Sequence, residues 1–211
     1  IKFIETNYPE FLDHLSSAKS PQQMLGSVIK GVWATKIAKV DPKDVVCVAI
    51  MPCSAKKFER AREEMEVDGI RDVDLVLTTR ELGKLFKQNN IDLTKLPPSD
   101  FDQPLGVSSG AGVIFGATGG VMEAALRTAY EVVTGREVPF EHLNIAPVRG
   151  MEGITEAAIR IQSPLPAYSW LENVELKVAV VHTISNIRTF MDNMREMKAK
   201  NQPIPWHFVE F

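Results

Sequence analysis

Between Val45 and Met51 the chain runs VVCVAIM, seven apolar residues without alternation. Such a run suits a strand covered on both faces, as in a parallel sheet. Residues 72–78 (DVDLVLT) alternate weakly and predict a second strand, with Thr79 capping a helix over RELGKLFKQNN. His142–Arg149 and Ile154–Ile161 predict two more strands joined by RGMEG. Val174–Val181 predicts another, leading into the helix ISNIRTFMDNMREMKAK, for which Ser185 is one candidate cap. PWHFVEF begins a further buried strand. Helical spacing shows elsewhere. Apolar residues at 8, 11, 12 and 15 make one face of a helix over Tyr8–Leu15. Ser20 is a good N-cap, Pro21 suits the first helical position and Gln23 the third. Arg60–Glu66 is charged and helix-prone. A glycine-rich turn, SSGAGVIFGATGG, leads into a long helix that Gly135 closes. Residues 92–107, with three prolines, read as a surface loop. Met191, Met194 and Met197 mark a core face of the last helix. Strands alternating with helices predict an α/β fold with largely parallel sheets.

Composition narrows the function classes. The chain has 211 residues, 45% apolar and 24% charged, with a net charge of −3. No basic field or arginine–aromatic stripe argues for nucleic acid, and no apolar run approaches a membrane span. The sequence shows no signal peptide; it opens on Ile1 rather than Met, which points to a piece of a longer or processed protein. Cys47 and Cys53 form neither a disulfide framework nor a CxxC pair. Cys47, inside VVCVAI, is read as structural. Cys53 is different, because MPCSAKKFE puts a thiol at a strand end with Lys56 and Lys57 behind it. A positive field there lowers a cysteine pKa and favours the thiolate; the alternative is a small strand-end residue beside solvated lysines. Gly110–Gly120 fits a phosphate cradle poorly. Its glycines either let backbone pass close to a bulky object, with Val113, Ile114 and Phe115 as apolar walls, or simply make a turn. The histidines are scattered, and no Gly-x-Ser-x-Gly elbow is present. Ser16 and Ser17 are either hydrogen-bonding relays or a cap.

Taken in order, SSAKSPQQ, MPCSAKKFE, TTRELGKLF, SGAGVIFGATGGVMEAALRTAYE and VRGMEGI resemble the catalytic domain of iron-only (di-iron) hydrogenases, over essentially the whole chain. The resemblance implies two α/β lobes, each with a largely parallel sheet flanked by helices, and a cofactor cleft between them; residues 1–211 would be one catalytic-domain fragment. It implies reversible reduction of protons to hydrogen at an H-cluster, a 4Fe-4S cubane joined to a di-iron unit bearing CO, cyanide and a bridging dithiolate. On that match Cys53 is a cubane ligand. Lys56 holds a cyanide, Glu59 supports it electrostatically, and Ser16 belongs to a proton relay. Ser20, Pro21, Gln22, Met51 and Phe115 line the di-iron pocket. The implied partners are ferredoxin or another electron carrier and the maturation proteins that deliver the di-iron unit, with no nucleic acid and no membrane span. The implied compartment is cytoplasmic, or periplasmic given an upstream signal.

The family pattern also includes cysteine motifs that this chain lacks: a TSCCP segment expected before Ile1 and a VMACPxGC type expected at Phe211. Three of the four cubane ligands are therefore missing, which implies that this polypeptide alone is cofactor-free and inactive. The competing readings are a non-catalytic relative in iron–sulfur assembly or partner binding, and a hydrogen-sensing member. The intact MPCxxKKxE and FGATGGVMEAALR strings favour the enzyme.

Overall fold

A computed structural model describes residues 1–139, 146–147 (backbone only) and 153–211. The chain divides into two compact units, Ile1–Val107 and Ser108–Phe211.

The first unit opens with α1 (Lys2–Asn7), then a 3-10 turn over Pro9–His14. The single helix expected over Tyr8–Leu15 is thus a helix end and a tighter turn. Pro9 lacks the N–H that would carry α1 onward, yet Tyr8 and Phe11 are still buried as the pattern required. α2 (Pro21–Val28) starts as expected: Ser20 Oγ accepts the Gln23 N–H at 3.4 Å. It continues as π-helix over Ile29–Ala38 and ends at Lys39, in the left-handed region. β1 is Val48–Ile50; α3 is Ala55–Arg60, placed earlier than the charge pattern suggested. β2 (Glu66–Val67) and β3 (Ile70–Arg71) form a hairpin. Its turn, Asp68-Gly69, has φ of 52° and 75°, both positive as a type I′ turn requires. β4 (Leu75–Leu77) pairs parallel with β1, Val48 opposite Leu75 and Ile50 opposite Leu77. α4 (Thr79–Gln88) is capped by Thr78, not Thr79, in a reciprocal capping box with Glu81.

One face of α2 and its π-helical extension is locked to residues 72–74. Lys19 pairs with Asp72 at 2.5 Å, and Lys30 with Asp74 at 2.7 Å. Asp74 also accepts the Cys47 N–H at 2.7 Å. A Cβ on Gly26 would come within 2.5 Å of the Asp72 carbonyl oxygen, so only glycine permits this approach. The expectation that β1 is covered on both faces is not met: Val48 and Ile50 are each 49% exposed, because two short strands carry no second layer over that face among the described residues. Burial pushes the Cys47 thiol pKa up, partly offset by the nearby Lys30 cation, which suits a structural thiol.

The second unit holds α5 (Gly110–Ile114), α6 (Gly120–Thr134) and a four-stranded sheet in the order β5 (Ala146–Pro147), β6 (Ile154–Arg160), β7 (Glu175–Val181), β8 (Phe208–Glu210). β7 and β8 are parallel, whereas β5–β6 and β6–β7 are antiparallel. Of the strand expected over His142–Arg149 only β5 is described; its remainder and most of VRGMEG lie outside the described residues. α6 ends at Gly135 (φ 68°) as expected. It packs on the sheet through Met122 and Tyr130 against Ile159, Ile161, Val178 and Val180. α7 (Ile184–Ala199) buries Phe190, Met191 and Met194; Thr183, not Ser185, occupies its N-cap position. A small parallel sheet in the first unit and a mixed sheet in the second, each with helices beside it, thus make an α/β fold.

Candidate functional site

β1 delivers the chain into Met51-Pro52-Cys53-Ser54, where the Met51 N–H still donates to the Leu77 carbonyl at 2.8 Å. Cys53 therefore stands just past the C-terminal end of a parallel strand, where α/β folds place their sites. The Lys56 and Lys57 N–H groups donate back to the Cys53 and Ser54 carbonyls at 3.3 and 3.0 Å, winding the loop directly into α3. The Cys53 thiol is exposed. An open depression lined by Pro52, Ser54, Thr78, Thr79 and Arg80 adjoins this loop.

The two lysines diverge. Lys56 Nζ lies 2.7 Å from Glu59 Oε2, one turn along α3, with the side chains 25% and 13% exposed. Lys57 Nζ donates to both Glu81 oxygens at 2.6 and 2.7 Å. The expected positive field behind the thiol is thus corrected: a carboxylate matches each ammonium. Glu81 was not foreseen as a partner, although the Thr78…Glu81 capping-box spacing was readable. Its carboxylate also accepts the Thr78 N–H and hydroxyl at 2.8 and 2.9 Å. The Lys57 ammonium first, then these two donors, hold its carboxyl down from 4.5 to about 2. A depressed pKa adds stability that is present above the unfolded value and lost as pH falls through the folded one. The stability gap between wild type and Glu81→Gln should accordingly shrink from pH 6 to pH 2, as read by urea midpoints; a gap independent of pH would refute this coupling.

Of the other expected site residues, Ser16 is exposed and its Oγ accepts the Ala18 N–H at 3.1 Å, a local turn. Ser20, Pro21 and Gln22 form the start of α2. Gln22 carries the clearest signal, because its amide nitrogen and oxygen are both buried without a hydrogen-bond partner among the described residues. The Gln23 amide, fully buried, is in the same condition. Met51 is half-buried. Phe115 belongs to the second unit, directly after α5, and is 40% exposed. In its glycine-rich segment, Gly110 and Gly112 face open space, while Gly119 and Gly120 are crowded by the protein itself. The first pair leaves room for a close approach, and the second serves the fold.

The fit to the implied cofactor divides in the same way. A buried amide lacking a partner beside an N-cap serine, and an ammonium with donors to spare beyond Glu59, suit a polar diatomic ligand such as cyanide. The cubane does not fit these residues alone: iron–sulfur cubanes take four thiolates, and the sequence holds two cysteines. Among the described residues no group of three or more His, Cys, Asp or Glu is placed to hold a metal ion. No helix there is long and apolar enough to cross a membrane.

The model for "iron only hydrogenase large subunit, C-terminal domain" matches residues 1–211. The chain is 43% identical over 210 residues to the periplasmic Fe hydrogenase large subunit of Nitratidesulfovibrio vulgaris, covering 100% of this chain and 46% of the relative. It superposes on an apo FeFe-hydrogenase HydA1 structure from Chlamydomonas reinhardtii with a TM-score of 0.77 at 39% identity, covering 99% of this chain and 55% of that one. More distantly, it is 28% identical over 216 residues to cytosolic iron-sulfur assembly component 3 of Mus musculus, covering 100% of this chain and 42% of the relative. The chain spans under half the length of these two relatives.

Proposed function

The chain belongs to the family of C-terminal domains of iron-only hydrogenase large subunits, and from that membership we propose that residues 1–211 build part of the cofactor pocket of an enzyme interconverting protons and hydrogen. The observation that carries this reading is the strand-end thiol of Cys53, followed within one helical turn by the Lys56–Glu59 pair. When bound, the H-cluster supplies the redox chemistry and the site of hydrogen activation. Cys53 would give one thiolate to the cubane. Glu59 accepts one N–H of the Lys56 ammonium and would leave the others to hold a cyanide. Ser20, Pro21, Gln22, Met51 and Phe115 would enclose the di-iron unit and exclude water, and the Ser16 hydroxyl would hold or pass a proton. The remaining thiolates would come from outside these residues, so this chain alone would be inactive. Electrons would come from ferredoxin or another carrier, the di-iron unit from maturation proteins, and the compartment would be the cytoplasm, or the periplasm given an upstream signal.

The test is Lys56→Asn beside Lys57→Asn in the full-length matured protein, followed by infrared CO and cyanide bands, iron content and hydrogen evolution. A charge-assisted hydrogen bond contributes about 1.5–3 kcal/mol. Lys56→Asn should therefore weaken retention of the di-iron unit about ten- to hundredfold, while the cubane stays. Lys57→Asn, which breaks an exposed pair aimed at α4, should be milder. Full di-iron occupancy with unshifted cyanide bands in Lys56→Asn would sink the assignment. Assembly of iron–sulfur clusters without hydrogen turnover in the wild type would favour the second reading, an assembly factor, which the similarity to the Mus musculus assembly component supports.

A further inference from the structure

We propose that Glu210 is a positioning residue for the pocket wall: from β8 it supplies the helix cap that Gly119 cannot, and so fixes the Phe115–Gly119 segment. This deepens the reading above, on which Phe115 lines the di-iron pocket. The first N–H groups of a helix lack intrahelical partners, and an N-cap side chain ordinarily accepts from the second or third of them. α6 begins at Gly120, with Gly119 as N-cap at φ 80°. That conformation favours glycine, and a Cβ there would come within 3.1 Å of Val180 Cγ2. The position must be glycine, and glycine has no capping group.

Glu210 fills the gap from 91 residues away. Its Oε1 accepts the Gly119 N–H at 3.0 Å, and its Oε2 accepts the Met122 N–H, the third of the helix, at 2.8 Å. The placement follows from the sheet. Glu210 is in register with Val180 on the neighbouring strand, so both side chains leave the face on which α6 packs. A carboxylate also suits the positive end of a helix. From there the geometry passes to Phe115. The Gly120 N–H donates to Ala117 O at 2.9 Å, the Ala117 N–H to Ile114 O at 3.1 Å, and the Phe115 N–H to Ala111 O at 3.0 Å. Gly120 also lies so close to the Ile114 carbonyl that no Cβ fits between them. Moving the start of α6 therefore moves the end of α5 and the phenyl ring that follows it.

The test uses the full-length protein and Glu210→Gln, which keeps the shape but leaves one acceptor oxygen and no charge. The Gly119 and Met122 amides should exchange with solvent about tenfold faster, the Phe115 ring resonances should shift, and the cyanide bands of the di-iron unit should move with cubane iron unchanged. Undisturbed amides would overturn the cap; disturbed amides with unmoved Phe115 resonances would overturn the positioning role. If the variant does not fold, the wild type still decides: rapid exchange at both amides overturns the proposal. A wild type that shows no di-iron bands defeats the pocket reading instead, and the amide and ring signals then judge Glu210 by themselves.

Discussion

Gly120→Ala will destabilise the second unit by about 3 kcal/mol or more, at the upper end of what overpacking costs. The new methyl carbon would overlap the Ile114 carbonyl oxygen and lie 2.7 Å from its carbon and 3.3 Å from the Phe115 Cα. These are backbone atoms and cannot rotate away, so α5 and α6 must separate. Gly119→Ala should cost less, about 1–2 kcal/mol. Its crowding is against the Val180 side chain at 3.1 Å, which can give, and the remaining penalty is the left-handed backbone. Gly112→Ala is the control, since a Cβ there meets nothing within 4 Å and the residue is helical. It should be neutral or stabilising by about 0.5–1 kcal/mol. Urea denaturation followed by Trp170 and Trp206 fluorescence reads all three. Gly120→Ala within 1 kcal/mol of wild type, on the overpacking scale, would show that the two helices do not meet as described.

The second large effect is asymmetric. Asp74→Ala should destabilise the first unit by about 3–5 kcal/mol, because it leaves an uncompensated buried charge. The Lys30 side chain is only 7% exposed, and its ammonium would lose the carboxylate 2.7 Å away. The Cys47 N–H would lose its acceptor as well. Lys30→Met should be milder. It leaves Asp74 33% exposed to water and still bonded to the Cys47 N–H, while methionine fills the lysine's volume. The measurement is the urea midpoint with Trp33 as reporter at unchanged slope. Equal losses in the two variants would mean that Lys30 is not effectively buried.

What the sequence disclosed was local. Ser20-Pro21 at the start of α2, Gly135 at the end of α6 and the apolar runs of β1 and β7 each depend on a few neighbouring residues, and all stand where the pattern put them. Strand direction was harder to read. Alternation is the same whichever way a strand runs, so nothing in ITEAAIR distinguished its antiparallel pairing with β7 from a parallel one. The β2–β3 hairpin was missed despite the Asp-Gly turn, because the surrounding charges resembled a helix. At the candidate site, the Lys56–Glu59 pair lies within reach of helical spacing. The carboxylate on Lys57 is 24 residues away, and the one capping α6 is 88 to 91 away. Contacts at such separations follow from the fold and leave no periodic trace. Family membership was legible for another reason: the motif strings are long, and strings of that length do not arise from periodicity.

The Lys57–Glu81 pair has a direction. An isolated surface ion pair can be inverted, cation for anion, with little change. Glu81 cannot take the lysine's place, because the same carboxylate receives the Thr78 N–H and hydroxyl that begin α4. An ammonium at position 81 would present donors to donors, and it would bring positive charge to the positive end of a helix. Over generations of substitution, therefore, position 57 is free to give up its cation while position 81 keeps its anion for the helix, but the two can never trade places. MPCSAKKFE and TTRELGKLF, separate in the sequence, thus meet through a contact whose anionic side is fixed by the helix it caps.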